Sequence, residues 1–253
     1  FISEPGTYNF VERNAVGDSK KHFLHSLKEE PKDWYYRTHK VEYTLNSHKF
    51  RTKEFKDIDW KNSIVLIGCS FIFGMGVTNN DTIAAYLQKI TGKYVVNLGQ
   101  PGASNGVIAY NSYYLKENYP TPLAVVNLWS TMARWFRINY ESKQKYLMFE
   151  LLDYNPLANS GNMESEVITE VTNNIIHMKM SNALWKDHPN HLQLSRYDYF
   201  KNGKYISIAA KVFPEAIQLK HSWVDSRNAR DKEHWGRDVN EKIAKLIASN
   251  LKL

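Results

Sequence analysis

The chain has one cysteine, Cys69, in 253 residues. No disulfide can form within it, and its cysteine usage leaves the compartment open. It has no run approaching the ~20 consecutive apolar residues that a bilayer-spanning helix needs, so no membrane span is expected. It also lacks any block of like charge: the 33 basic and 26 acidic residues, net +7 with a pI near 9.2, are scattered along its length. Scattered charge reads as a solvated basic surface, and no nucleic-acid partner is expected. Repeats and low-complexity tracts are missing too. There is no P-loop lysine. Gly74-Met75-Gly76 lacks the third glycine, and the acidic residue downstream, of a dinucleotide fingerprint. Asp187, His188 and His191 sit in a stretch, Asp-His-Pro-Asn-His, that reads as a polar loop rather than a metal site. No cofactor and no metal are expected. A chain opening on Phe1 is expected to have been processed, a removed signal peptide being one route.

What is present is ordinary for a folded domain, with 43% hydrophobic and 23% charged residues. The chain divides into residues 1–60, an N-terminal extension packed on the rest, and residues 61–253, one α/β domain with a helical or loop insertion around 131–202. In the extension, Val41–Leu45 reads as a strand before a turn at Asn46–Ser47. The domain is organised around Ile64–Val77 (IVLIGCSFIFGMGV). Ile64–Gly68 suits a strand buried on both faces, and the glycines after it mark a sharp turn. A helix follows at Asn80–Gly92, capped by Asn80 or Asp81. A strand at Tyr94–Asn97, a helix from Asn105 to about Asn118 capped by Asn105, and a strand at Leu123–Trp129 come next. This alternation predicts a parallel sheet built from βαβ units. From Thr131 to about Asn202 no strand is expected, and Glu164–Trp185 is the most helical part. Tyr205–Ala210 is a candidate later strand, and Trp235–Leu251 an amphipathic last helix with Val239, Ile243, Leu246, Ile247 and Leu251 on one stripe.

Ser70 falls at a strand-to-helix turn on the carboxyl edge of the sheet, where open α/β proteins bind ligands and where a nucleophile can be presented beside free backbone amides. His234 is the one histidine with an aspartate three residues before it, Asp231, close enough to orient the ring and stabilise its protonated form. Gly102, in the loop after the second strand, allows close approach of an amide to a developing oxyanion. Cys69 beside Ser70 reads as a small buried thiol.

These residues add up to a resemblance. Gly68-Cys69-Ser70 followed by Phe73-Gly74-Met75-Gly76-Val77 resembles the first block of the SGNH (GDSL-type) hydrolases. Asn97-Leu98-Gly99 with Gly102 resembles the second block, and Asp231-Lys232-Glu233-His234 the terminal Asp-x-x-His block. Val41–Phe55 resembles the Asn-Ser…Phe-Arg segment that precedes the serine in some phage and bacterial members. The resemblance implies a three-layer α/β/α, flavodoxin-like fold with a mainly parallel sheet of about five strands. It implies Ser70 as nucleophile, His234 as general base and acid, Asp231 as the orienting carboxylate, and the Ser70 and Gly102 amides in the oxyanion hole. The activity implied is hydrolysis of acyl or O-acetyl esters on a small molecule or carbohydrate, by a soluble, cytoplasmic or phage-associated protein. Two departures stand out. Cys69 replaces the aspartate of the first block. After the third strand, Ser130-Thr131 stands where the family has an oxyanion asparagine, so Thr131 is expected in the oxyanion hole, with Ser130 and Asn105 toward the substrate. Losing an amide donor there costs about 100- to 1000-fold in rate. The alternative is therefore a degenerate SGNH domain serving as a carbohydrate-binding or structural module.

Overall fold

Four short strands and one helix precede the central sheet: β1 (Gly6–Tyr8), β2 (Val11–Arg13), β3 (Val16–Asp18), α1 (Lys20–Glu29) and β4 (Tyr43–Leu45). β1 pairs with β4 and β2 with β3, both antiparallel. The computed structural model describes residues 4–13, 16–132, 134, 163–196, 214–224 and 226–253. The candidate strand Tyr205–Ala210 lies outside them.

The apolar run at Ile64 forms β5 (Ser63–Gly68), buried at every residue. It continues into a single turn of helix, α2 (Ser70–Phe73). Then come α3 (Ile83–Thr91), β6 (Tyr94–Gly99), α4 (Asn105–Asn118), β7 (Ala124–Trp129), α5 (Met163–Leu184), β8 (His191–Ser195), β9 (Ile217–Gln218), α6 (His221–Val224) and α7 (Arg237–Asn250). The sheet is wholly parallel in the order β6-β5-β7-β8-β9. The chain steps outward from β5 to β6 and then back across to β7. With right-handed crossovers this reversal puts α3 on one face and α4 and α5 on the other. α3 packs against α7 and α4 against α5, giving three layers. The reversal also opens a crevice at the carboxyl ends of β5 and β7, where ligands bind in folds of this kind. Burial of Ile83, Leu87, Val239, Ile243 and Ile247 seals α3 and α7 to the core, each contributing about 1.5–3 kcal/mol.

Several boundaries differ from the sequence reading. Asn79–Asp81 forms a 3-10 turn, and the α3 cap is Thr82, whose hydroxyl accepts from the Ala85 amide. Ser104 rather than Asn105 caps α4, because the Asn105 amide is engaged at the end of β7. The last helix begins at Arg237, after Gly236 donates to Asn228 Oδ1. The largest correction is β8, a strand in a stretch expected to have none. Its central polar position, Gln193, is buried with dedicated partners. Trp129 Nε1 donates to Gln193 Oε1 at 2.8 Å, and Gln193 Nε2 donates to Asn182 Oδ1 at 2.6 Å. Such a strand carries little hydrophobic signal.

His188 and His191 serve this region as structural groups. The His188 ring bonds the Pro122 carbonyl and the Asn190 amide. His191 Nε2 lies 3.4 Å from Asn127 Nδ2, a donor, in a buried network with Ser181 and Ser112. Burial, reinforced by His188, lowers the His191 pKa to about 4, and burial lowers that of His177 as well. An imidazole held neutral in the fold protonates more readily in the unfolded chain, so the unfolded state binds more protons between pH 6.5 and 4. Stability is then full above pH 6.5 and falls as pH drops toward 4, by about 3 kcal/mol for His191 alone. Thermal melts should show a lower midpoint at pH 4.5 than at pH 7, with a smaller difference in His191→Gln. Equal pH dependence in the two proteins would remove His191 as the cause.

Candidate active site

Cys69 caps α2, and Ser70 is its first residue, 4% exposed, at the carboxyl end of β5. The helix is one turn long because Gly74 takes a left-handed conformation (φ 78°) and, with Met75, donates its amide to the Ser70 carbonyl. The first amides of a helix have no partner within it, so the Ser70 N–H stays available at the site. The loop after β6 is tied to β5 by the Gln100 amide on the Gly68 carbonyl, and Gly102 there has φ 81°. Neither the Ser70 nor the Gly102 amide donates to another acceptor among the described residues.

His234 Nε2 lies 2.8 Å from Ser70 Oγ, and its Nδ1 lies 2.6 Å from Asp231 Oδ2. Asp231 is buried, and its Oδ1 accepts the amides of Glu233 and His234 at 3.1 Å each. Burial works to raise the Asp231 pKa, but the His234 ring and these two amides outweigh it and hold the carboxyl below its usual range. An ionised carboxylate only accepts. In the neutral ring the proton therefore sits on Nδ1, leaving Nε2 bare toward the serine hydroxyl. The tight turn between Asp231 and His234 places Lys232 at φ 61°. Asp231, Glu233 and His234 are the one group among the described residues with the geometry to hold a metal ion, and Asp231 and His234 are already committed to each other.

Residues that sequence reasoning passed over hold this arrangement in place. Arg230 donates from Nε to Asp18 Oδ1 at 3.0 Å and from Nη2 to Asp18 Oδ2 at 2.6 Å. Tyr43 donates its hydroxyl to Asp18 Oδ2 and accepts the Gly76 amide at 2.8 Å. Gly76 (φ 76°) in turn accepts the Arg230 amide. A Cβ there would stand 2.7 Å from Ala229 Cβ and 2.9 Å from Asp231 Oδ1, so only glycine lets the two loops meet. Buried Arg51 donates to the carbonyls of Phe73, Gly74, Val77 and Glu42, clamping the loop that follows Ser70. Phe50-Arg51, within the segment resembling phage and bacterial members, was the sequence signal for it. Phe71 packs beside His234 and Trp235, and the Arg196 guanidinium lies 3.6 Å from its ring centroid.

The end of β7 differs from expectation. Asn105, expected toward the substrate, is fully buried. Its Oδ1 accepts the Ser130 amide at 2.7 Å and its Nδ2 donates to the Ser130 carbonyl at 3.3 Å. It fixes the backbone from inside instead of lining the pocket. Ser130 is also buried, and its Oγ accepts from Arg134 Nη1 at 2.8 Å. Thr131 follows at the same edge, half-buried. Arg134 had no signal in the sequence.

No helix among the described residues is long and apolar enough to cross a membrane. The sequence matches no protein-family model and no curated protein. Several solved structures resemble the chain. A G-D-S-L family protein from Desulfitobacterium hafniense DCB-2 is 15% identical over 76% of this chain and 100% of its own, with a TM-score of 0.46. A carbohydrate esterase family 2 enzyme with a carbohydrate-binding domain, from Corynascus thermopiles (Myceliophthora fergusii), is 15% identical over 75% of this chain and 66% of its own, at 0.43. The SGNH-hydrolase family esterase AlinE4 is 10% identical over 64% of this chain and 77% of its own, at 0.40.

Proposed function

We propose that this chain is a serine hydrolase of the SGNH type that cleaves carboxylic esters, acyl or O-acetyl, through Ser70, His234 and Asp231. The observation that carries the reading is the unbroken relay from Ser70 Oγ through the His234 ring to a buried, ionised Asp231. Ser70 Oγ attacks the ester carbonyl as its proton passes to Nε2, and Asp231 stabilises the imidazolium that forms. The carbonyl oxygen, now negative, meets the amides of Ser70 and Gly102, with the Thr131 hydroxyl as third donor. His234 returns the proton to the departing alcohol, and an acyl group remains on Ser70. Water then attacks that acyl group by the same route, releasing the acid and restoring the serine. Small-molecule and carbohydrate esters are the substrate class this reading favours.

One observation favours the second reading, a degenerate domain that binds a carbohydrate ester without turnover. Ser130-Thr131 stands where the resembling sequences carry an amide donor, and a rotatable hydroxyl is less preorganised than a fixed amide. A fluorophosphonate probe separates the two. Hydrolase chemistry predicts one covalent adduct, mapped to Ser70 and abolished in Ser70→Ala. Labelling of another serine, or none on folded protein, would replace the hydrolase by the binding module.

A further inference from the structure

The β7 edge of the site carries a positive charge that the relay does not use. Arg134 Nη1 donates to Ser130 Oγ at 2.8 Å and to the Ala103 carbonyl at 3.0 Å, both neutral acceptors. Its Nε is buried with no hydrogen-bond partner. No carboxylate pairs with it among the described residues. Ala103 adjoins Gly102, and Ser130 follows β7, the strand paired with β5, with its hydroxyl on the thiol of Cys69, the residue before Ser70. The guanidinium thus stands between the loop of the Gly102 amide and the strand beside the nucleophile. Arg196, on Phe71, adds a second positive charge at the end of β8, the next strand along. The field reaches the floor of the site. Burial alone would raise the Cys69 thiol, but Arg134 and Arg196, helped by the Phe71 amide and the Ser130 hydroxyl, bring it down to about 7. Asp231, the buried carboxylate of the site, is already matched to His234.

A partly buried cation with no counter-charge among the described residues is costly unless an anion completes it. With Nη1 spent on two acceptors and Nε closed off, Nη2 is the nitrogen left to meet a carboxylate through a charge-assisted hydrogen bond. We propose that Arg134 forms a cationic subsite beside Ser70, so that the preferred substrates are esters that also carry a carboxylate. The proposal rests on the hydrolase reading above, and Arg134 acts in it as a specificity-determining residue rather than in the bond-making steps. The carboxylate belongs to the acyl portion of the ester or to its alcohol portion, and two substrate pairs distinguish these sources.

In the acyl arm, nitrophenyl hemisuccinate is compared with nitrophenyl butyrate. In the alcohol arm, para-acetoxybenzoate is compared with phenyl acetate. The expected result is a kcat/KM ratio of roughly 10- to 100-fold in favour of the anion in one arm, the range spanned by a charge-assisted hydrogen bond. The preference should sit mainly in KM, shrink with added salt, collapse to about one in Arg134→Gln and return in part in Arg134→Lys. Turnover with a ratio near one in both arms overturns the subsite and leaves the hydrolase intact. If no ester is turned over, the hydrolase reading falls, and calorimetric titration of succinate and para-hydroxybenzoate decides the subsite. Binding to native protein that is lost in Arg134→Gln upholds it, and no binding overturns it. Should Arg134→Gln fail to fold, Arg134→Lys and the salt dependence of the native protein decide the subsite in the same way.

Discussion

Replacing His234 by alanine is expected to lower kcat on nitrophenyl acetate by about 10⁴- to 10⁶-fold, with KM little changed. Among the described residues the ring is the group placed to take the Ser70 proton, at 2.8 Å from its oxygen, and a serine hydroxyl without a base is a weak nucleophile at neutral pH. Asp231→Asn should cost about 10⁴-fold by another route. An asparagine can turn its amide donor toward Nδ1, which moves the proton to Nε2 and faces the serine with a donor instead of an acceptor. If the three side chains act as the proposed unit, Ser70→Ala combined with His234→Ala should be no slower than either alone. Initial rates at matched substrate, on variants whose melting curves show an intact fold, are the measurement. A His234→Ala protein within tenfold of native would mean that ester cleavage here does not pass through this ring.

Much of the architecture was legible because it rests on hydrophobic pattern. Ile64–Gly68 and Leu123–Trp129 are apolar runs that a parallel sheet buries on both faces, and the last helix shows its stripe at Val239, Ile243 and Ile247. β8 was not legible, because Gln193 is buried on a hydrogen bond to Trp129, distant in sequence, information that no local window contains. The site divides in the same way. Ser70 could be placed from the strand and the glycine turn that flank it. Asp231 and His234 were visible as a pair, but 164 residues separate His234 from Ser70, and only the order of blocks in a family resemblance suggested that they meet. Asn105 misled because an asparagine at a loop end reads equally as a cap, a ligand contact or a backbone clamp, and the choice depends on Ser130 on another element. Arg134 and Arg230 went unread for the same reason, and Arg51 showed only as part of the Phe-Arg segment of the resemblance. Their buried partners are carbonyls and side chains brought together only by the fold.

Asp18→Ala should then be the most damaging change outside the relay. Asp18 and Arg230 form a two-point ion pair whose side chains are 1% and 4% exposed, with Tyr43 on the same carboxylate. Burial pushes the Asp18 pKa up, and the Arg230 charge and hydrogen bonds pull against it without cancelling it. The pair therefore contributes little net stability compared with an apolar substitute, yet removing one partner strands the other charge in a dry site. The expected loss is about 3–5 kcal/mol, read as a melting temperature lower by roughly 10 °C. Replacing both charges, Asp18→Asn with Arg230→Met, leaves no stranded cation and keeps an acceptor for Tyr43, so more than half of that loss should return. Rate should not return with it. Arg230 precedes Asp231, and its amide is held by Gly76, which Tyr43 also holds. Without the ion pair, the loop carrying Asp231 is left with its backbone contacts and the more exposed Lys232–Glu30 pair, and a relay set to within a few tenths of an ångström loosens. The double variant should melt near the native protein while its kcat stays at least tenfold down, with KM close to native. Recovery of stability and kcat together would show that the N-terminal strands merely cover the domain. A drop of less than about 1 kcal/mol in Asp18→Ala would show that water reaches Arg230 and that the pair is not buried in solution.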